Sequence, residues 1–247
     1  MRYCDLIFDL YGTLVDIHTE TDVPGIWEKM AVYFGFHGAI YTSGELRSAY
    51  EETLDRMDSD AGQSYECFPE LQIEKVFSEL FVQKGIEKDV EMLGENAARF
   101  FRILSIEYIR LYPGVREALE RLRRNGHRLW LLSNAQRVFT AGEIRFLGLE
   151  DYFDGIYISS DYGCRKPDIR FFGELIGKET LIPENCMMIG NDLTTDIGGA
   201  KAAGLHTFYI HSNISPAEDA LAECKADYCV EGADWFRILE MLETICS

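Results

Sequence analysis

Basic residues are scarce in this chain of 247 residues, where 24 lysines and arginines face 42 aspartates and glutamates and the net charge is −18. No Lys/Arg-rich run offsets that balance, which argues against nucleic acid or an anionic membrane surface as a partner. An anionic substrate would meet a repelling field and would need a local device to hold it: a metal ion, a lysine or helix N-termini. Long apolar runs are also missing, so no stretch reaches the roughly 20 residues of a membrane-crossing helix. The first residues show no basic segment followed by an apolar one, the mark of a secretory leader. Seven cysteines, Cys4, Cys67, Cys164, Cys186, Cys224, Cys229 and Cys246, form no C-x-x-C pair. A scattered odd set of this kind reads as small apolar residues and surface thiols, and a reducing cytoplasm is the expected location. The five histidines, His18, His37, His127, His206 and His211, never fall at metal-ligand spacing and are read as structural. No repeat or low-complexity tract is visible, and the length suits one large domain or two smaller ones.

What is present begins at Leu6, Ile7 and Phe8, a continuous apolar run that stops at Asp9 and is followed by Gly12 and Thr13. Such a run suits a strand covered on both faces of a parallel sheet, and Gly12 suits a tight exit. Asp9 then lies at the carboxyl edge, where open α/β sheets place their ligands. Asp and Gly are also ordinary turn residues, so this segment alone decides nothing.

After a polar connection at 17–22, the pattern is helical to about residue 111. Helices are expected from Pro24 to Phe34, ended by Gly35; from Ser43, with Leu46, Ala49, Tyr50, Thr53, Leu54 and Met57 in register; from Pro69 to Gly85; and over 89–109. A turn is expected at 59–63. From residue 112 helix and strand alternate. Strands are expected at 127–132, 156–158, 186–189, 207–210 and 228–230, with helices at 115–124, 137–146, after Asp168, at 197–203 and at 235–242. The predicted fold class is α/β: a Rossmann-like parallel sheet core flanked by helices, built from 1–15 plus 112–247, with a helical bundle inserted at 16–111.

Four polar groups then fall at strand ends that share one edge: Asp9 with Thr13, Ser133 with Asn134, Lys166, and Asp192 with Asp196. Singly each has an ordinary explanation as a cap, a surface charge or a helix-start acid. Together, and in this order, they resemble the haloacid dehalogenase-like superfamily. Asp9-Leu10-Tyr11-Gly12-Thr13 is similar to its first motif, Ser133 to its second and Lys166 to its third. Gly190-Asn191-Asp192-Leu193-Thr194-Thr195-Asp196 is similar to its fourth. The resemblance implies that Asp9 is a nucleophile forming an aspartyl-phosphate. It further implies that Thr13, Ser133, Asn134 and Lys166 surround the transferring group, and that residues 16–111 are a cap domain. A Mg²⁺ site of Asp9, the Tyr11 carbonyl and Asp192 is implied as well, with Asn191 a ligand or a support for Asp192 and Asp196 behind them.

Two departures bear on the reaction. Phosphatases of the superfamily usually have a second Asp two residues after the nucleophile, acting as general acid; here that residue is Tyr11. The true dehalogenases have Tyr there, because a halide leaves without a proton. A phenol with an ordinary pKa near ~10 is a poorer match to neutral pH than a tuned carboxyl. The dehalogenases, however, use no metal, lack the acidic fourth motif, and carry an arginine early in the cap, whereas this chain has none between Arg2 and Arg47. The second departure is Asn191, where many relatives have an acid. The leading expectation is a Mg²⁺-dependent phosphohydrolase of a small phosphorylated metabolite, a monomer or homodimer. A metal-independent 2-haloacid hydrolase and a catalytically weak binding protein are the alternatives. Selectivity would reside in cap residues such as Arg56, Tyr65 and Glu66, each of which reads first as a surface or cap-core residue and only second as a contact.

Overall fold

The computed structural model describes residues 3–60, 68–219 and 224–246. Tyr65, Glu66, Cys67 and the part of the expected turn beyond Asp60 lie outside the described residues. Two sheets are present among them. The first has six parallel strands in the order β5 (Gly155–Ile158), β4 (Arg128–Ser133), β1 (Asp5–Phe8), β6 (Cys186–Gly190), β7 (His206–His211) and β8 (Tyr228–Glu231). β1 is central, with Phe8 opposite Leu131 on one side and Ile189 on the other. Alternate residues feed opposite layers, as a period of two demands. Leu6 and Phe8 pack with Phe153 and Trp235, whereas Ile7 packs with Trp130, Met188, Phe171 and Phe172. Helices α5 (Val115–Arg124), α6 (Arg137–Phe146), α7 (Ile169–Lys178), α8 (Gly199–Ala202) and α9 (Trp235–Cys246) cover the sheet.

Between the first and second strands of this sheet come α1 (Ile26–Phe36), α2 (Ser43–Asp60), α3 (Ile73–Val82) and α4 (Val90–Ser105). Their inward stripes make a separate core of Trp27, Met30, Phe34, Phe77, Leu80, Phe81 and Phe101, among others. No helix of the described residues is long and apolar enough to cross a membrane.

The structure corrects several boundaries. The connection at 17–22 begins as a strand, β2 (Val15–Thr19), which pairs antiparallel with β3 (Ile106–Leu111). The helix expected over 89–109 therefore ends at Ser105. The β-branched Ile106 and Ile109, with Tyr108, favour a strand once a partner is available. Gly35 does not end α1. The chain leaves at Gly38, whose φ of 88° is the left-handed geometry of a helix stop, with the Ala39 amide returning to the Phe34 carbonyl. Ser59 and Asp60 are still helical. The expected helix at 197–203 is preceded by a π-helical turn, Leu193–Gly198, and its regular part is only α8.

Candidate active site

The central strand delivers Asp9 to the carboxyl edge, with its amide continuing the ladder to the Ile189 carbonyl at 2.9 Å. The chain then turns through Gly12, at φ 84°, where a Cβ would fall 2.2 Å from Asn191 Nδ2. Only glycine lets the loop after Asp9 lie against Asn191. Thr13 is fully buried. Its hydroxyl is 3.4 Å from both Asp9 Oδ2 and Asn191 Oδ1, and its carbonyl accepts from Trp235 Nε1 at 2.8 Å.

Lys166 is buried, and its three ammonium hydrogens go to Asp9 Oδ1 at 2.7 Å, Asp196 Oδ1 at 2.7 Å and the Leu132 carbonyl at 2.8 Å. Burial pulls the ammonium towards neutrality, but Asp196 and Asp9 outweigh it and its pKa rises. Burial also lifts the Asp196 carboxyl to about 7 against the pull of Lys166, with the Asp9 charge adding to the rise. Asn134 reaches the main chain of Lys166 twice, accepting from its amide at 2.7 Å and donating to its carbonyl at 2.9 Å. It thus holds the main chain of Lys166 in place. Ser133 closes β4 one residue beyond the carbonyl that holds Lys166. Its Oγ is buried without a hydrogen-bond partner, a state that costs about 1–3 kcal/mol unless something fills it.

Both Asp196 oxygens are engaged: one is on Lys166, and the other accepts from the Asn191 and Asp192 amides at 3.0 and 3.1 Å. Gly190 makes this possible, because a Cβ there would fall 2.3 Å from Asp196 Oδ2. Asp192 accepts from the Thr194 and Thr195 amides through Oδ1. Among the described residues no three His, Cys, Asp or Glu side chains form a metal cluster. Asp9 and Asp196 flank the Lys166 ammonium, and Asp9 and Asp192 are the carboxylates left to offer oxygens to a cation. That donor set fits Mg²⁺, which keeps several waters and is held by one or two carboxylates, and it does not fit a metal that needs a full protein cage.

Tyr11 turns elsewhere. Its hydroxyl donates to Glu143 Oε2 and lies 2.9 Å from Thr140 Oγ1, both on α6. Glu143 in turn accepts from Arg102 Nε of α4 at 2.6 Å. Burial, and then the Glu143 charge, push the phenol far above its ordinary pKa, with Arg102 opposing. Sequence reasoning missed Thr140, Glu143 and Arg102. The available signal was a glutamate lying among Val138, Thr140 and Ile144 on the buried face of α6.

A second missed feature is the seam where residues 68–73 meet the sheet domain. Glu70 accepts from Gln136 Nε2 and Ser159 Oγ, both at 2.8 Å, and burial raises its carboxyl pKa. The Ile73 amide donates to Gln136 Oε1 at 2.9 Å, and the Arg165 amide to the Phe68 carbonyl at 2.9 Å. This seam roofs a cavity of about 550 Å³ that contains Asn134, Lys166, Arg165 and Glu70. A larger cavity, about 750 Å³, opens between α4 and α6 beside Ile103, Phe139 and Phe146, but none of the motif residues lines it. Arg56 is on the surface, 3.5 Å from Glu79.

Comparison with known proteins bears on the family and the fold. The chain is 29% identical over 205 residues to the glyceraldehyde 3-phosphate phosphatase of Methanothermobacter thermautotrophicus, covering 76% of this chain and 88% of that one. Among solved structures, the 2-haloacid dehalogenase of Pseudomonas syringae pv. tomato superposes with a TM-score of 0.66 at 21% identity, over 98% of this chain and 99% of that one. The magnesium-bound HAD-hydrolase YfnB of Bacillus subtilis superposes with a TM-score of 0.56 at 21% identity, over the whole of both chains. At such identities the two structures speak for the fold alone. Residues 6–204, which run from the apolar strand before Asp9 to the glycine after the fourth motif, match the model of one family. The chain therefore belongs to the haloacid dehalogenase-like hydrolases.

Proposed function

We propose that this hydrolase is a Mg²⁺-dependent phosphohydrolase of a small phosphorylated metabolite, working through an aspartyl-phosphate on Asp9. The observation that carries the reading is the unpartnered, buried Ser133 hydroxyl, one residue beyond the Leu132 carbonyl that accepts from Lys166 and on the strand next to the one that delivers Asp9. A donor left open at the sheet edge that holds Asp9 and Lys166 suits the oxygens of a phosphoryl group. Asp9 attacks phosphorus, Lys166 restrains the carboxylate charge, and Ser133 donates to an oxygen of the group in transfer. Asn134 and Asp196 hold Lys166 in place. Asp9, the Tyr11 main-chain carbonyl and Asp192 would hold Mg²⁺, with Asn191 supporting them. When bound, the ion offsets negative charge so that an anionic nucleophile and an anionic phosphate can meet.

Residues 16–111 serve as the cap in this reading, with the segment at 68–73 closing over the cavity and excluding water. The size of that cavity and the phosphatase name of the archaeal relative both favour a small substrate. Two arginines of the inserted helices that could hold a haloacid carboxylate are already paired, while Arg165 of the sheet domain lines the cavity. Arg47 is engaged by Asp22 and Glu51 at 2.8 Å each, and Arg102 by Glu143.

The test is phosphate release from a panel of phosphorylated metabolites with Mg²⁺ and with EDTA. Release is expected only with Mg²⁺, and Asp9→Asn is expected to lower it by roughly a thousandfold or more. Chloride release from a 2-haloacid that EDTA leaves untouched would replace this reading with the dehalogenase.

A further inference from the structure

Breaking a P–O bond leaves an electron pair on the departing oxygen. An alkoxide needs a proton as it leaves, and a positioned acid is worth about 10²–10⁴ in rate. The residue two positions after the nucleophile is the natural place for that acid, and Tyr11 occupies it. Its hydroxyl has one hydrogen, which goes to Glu143, while Thr140 meets the oxygen from the other side. Arg102 clamps Glu143 through Oε1 at 2.6 Å and lies over the Tyr11 ring at 5.9 Å. The phenol is thus a strut from the nucleophile loop to α6 and, through Arg102, to α4.

The other candidates among the described residues are equally engaged. Glu70, the carboxyl in the lining of the cavity beside Lys166, has both oxygens accepting, from Gln136 and Ser159. The three Lys166 hydrogens go to Asp9, Asp196 and Leu132. Asp196 accepts on both oxygens.

We propose that, among the described residues, the site has no proton donor for the leaving group. Resting on the phosphohydrolase reading above, this narrows the substrates to phosphoryl compounds whose leaving group departs as a stabilised anion: acyl phosphates and aryl phosphates in preference to alkyl phosphate esters. In the first step an Asp9 oxygen bonds to phosphorus and the P–O bond breaks. The leaving oxygen keeps the electron pair as a carboxylate or phenolate and takes any proton later, from solvent. In the second step water attacks the aspartyl-phosphate, Asp9 returns as a carboxylate, and phosphate carries away both water hydrogens. Neither step requires a proton from the protein.

The experiment measures kcat/KM for phosphate release from acetyl phosphate, a series of ring-substituted phenyl phosphates and glycerol phosphate, with Mg²⁺. The enzymes compared are the wild type, Tyr11→Phe and Glu70→Gln. This constant covers every step up to departure of the leaving group, so slow hydrolysis of the intermediate does not mask the effect. The wild type is expected to slow steadily as the leaving group becomes more basic, with glycerol phosphate about 10²–10⁴ below the activated members. Tyr11→Phe should lower every member by one common factor and keep the slope, as a strut would. A flat wild-type series overturns the proposal. A slope that steepens in Tyr11→Phe or in Glu70→Gln also overturns it, by assigning the donor to that residue. No release from any member by the wild type defeats the phosphohydrolase reading itself.

Discussion

At the carboxyl edge of the sheet Lys166 is buried between Asp9 and Asp196, and Ser133 has an unpartnered hydroxyl; between the inserted helices Phe34 stacks on Phe81 with centroids 4.1 Å apart, and Phe77 meets Tyr50 and Phe101. The edge gathers charge out of water, which yields little stability because desolvation offsets attraction. The helical core does the reverse: it buries aromatic area, the most effective stabiliser available, around residues with no chemistry to perform. Stability and reactivity are thus assigned to different parts of one chain. The edge tolerates its strained electrostatics because the sheet strands beneath it, Leu6 to Phe8 and Met187 to Ile189, are buried and paired.

The largest effect that tests this division is Lys166→Met. It leaves Asp9 and Asp196 facing each other without a cation, and should cost about 3–5 kcal/mol in urea denaturation. Phosphate release should fall by roughly 10²–10³-fold at the same time, since a charge-stabilising donor is lost. Full activity in this variant would break the comparison from the reactive side. Phe77→Ala should cost about 3–5 kcal/mol of stability from the lost ring and its cavity, while release by the folded fraction stays at the wild-type rate. A fall in kcat without a fall in stability would show that the helical core takes part in the chemistry. The smallest effect is expected at Arg56→Ala, an exposed pair with Glu79, within about 0.5 kcal/mol of the wild type. A higher KM at unchanged kcat there would sharpen the comparison by placing a substrate contact on α2.

Much of the fold was legible in the sequence because its signals are local. Leu6, Ile7 and Phe8, the run at 129–132 and Cys186 to Ile189 read as buried strands, and they are. The convergence of Asp9, Lys166 and Asp196 was legible too, since parallel strands of one sheet open on one edge. The β2–β3 ribbon was not. It pairs Val15 with Leu111, and a pairing over so long a separation leaves no mark in either segment beyond a few β-branched residues. The unfilled hydroxyl of Ser133 was equally hidden, because the absence of a partner belongs to the surroundings and not to the serine.

The sequence by itself determined the alternation of strand and helix in the parallel sheet, the family, and the arrival of Asp9 at a strand end, all consequences of side-chain period and short motifs. The tertiary structure alone decided what Tyr11 does. Its partners, Thr140 and Glu143, are 129 and 132 residues away, and Arg102 reaches Glu143 from another helix. A hydroxyl's role is fixed by what its single hydrogen meets, and that is set by how α4 and α6 pack against the loop.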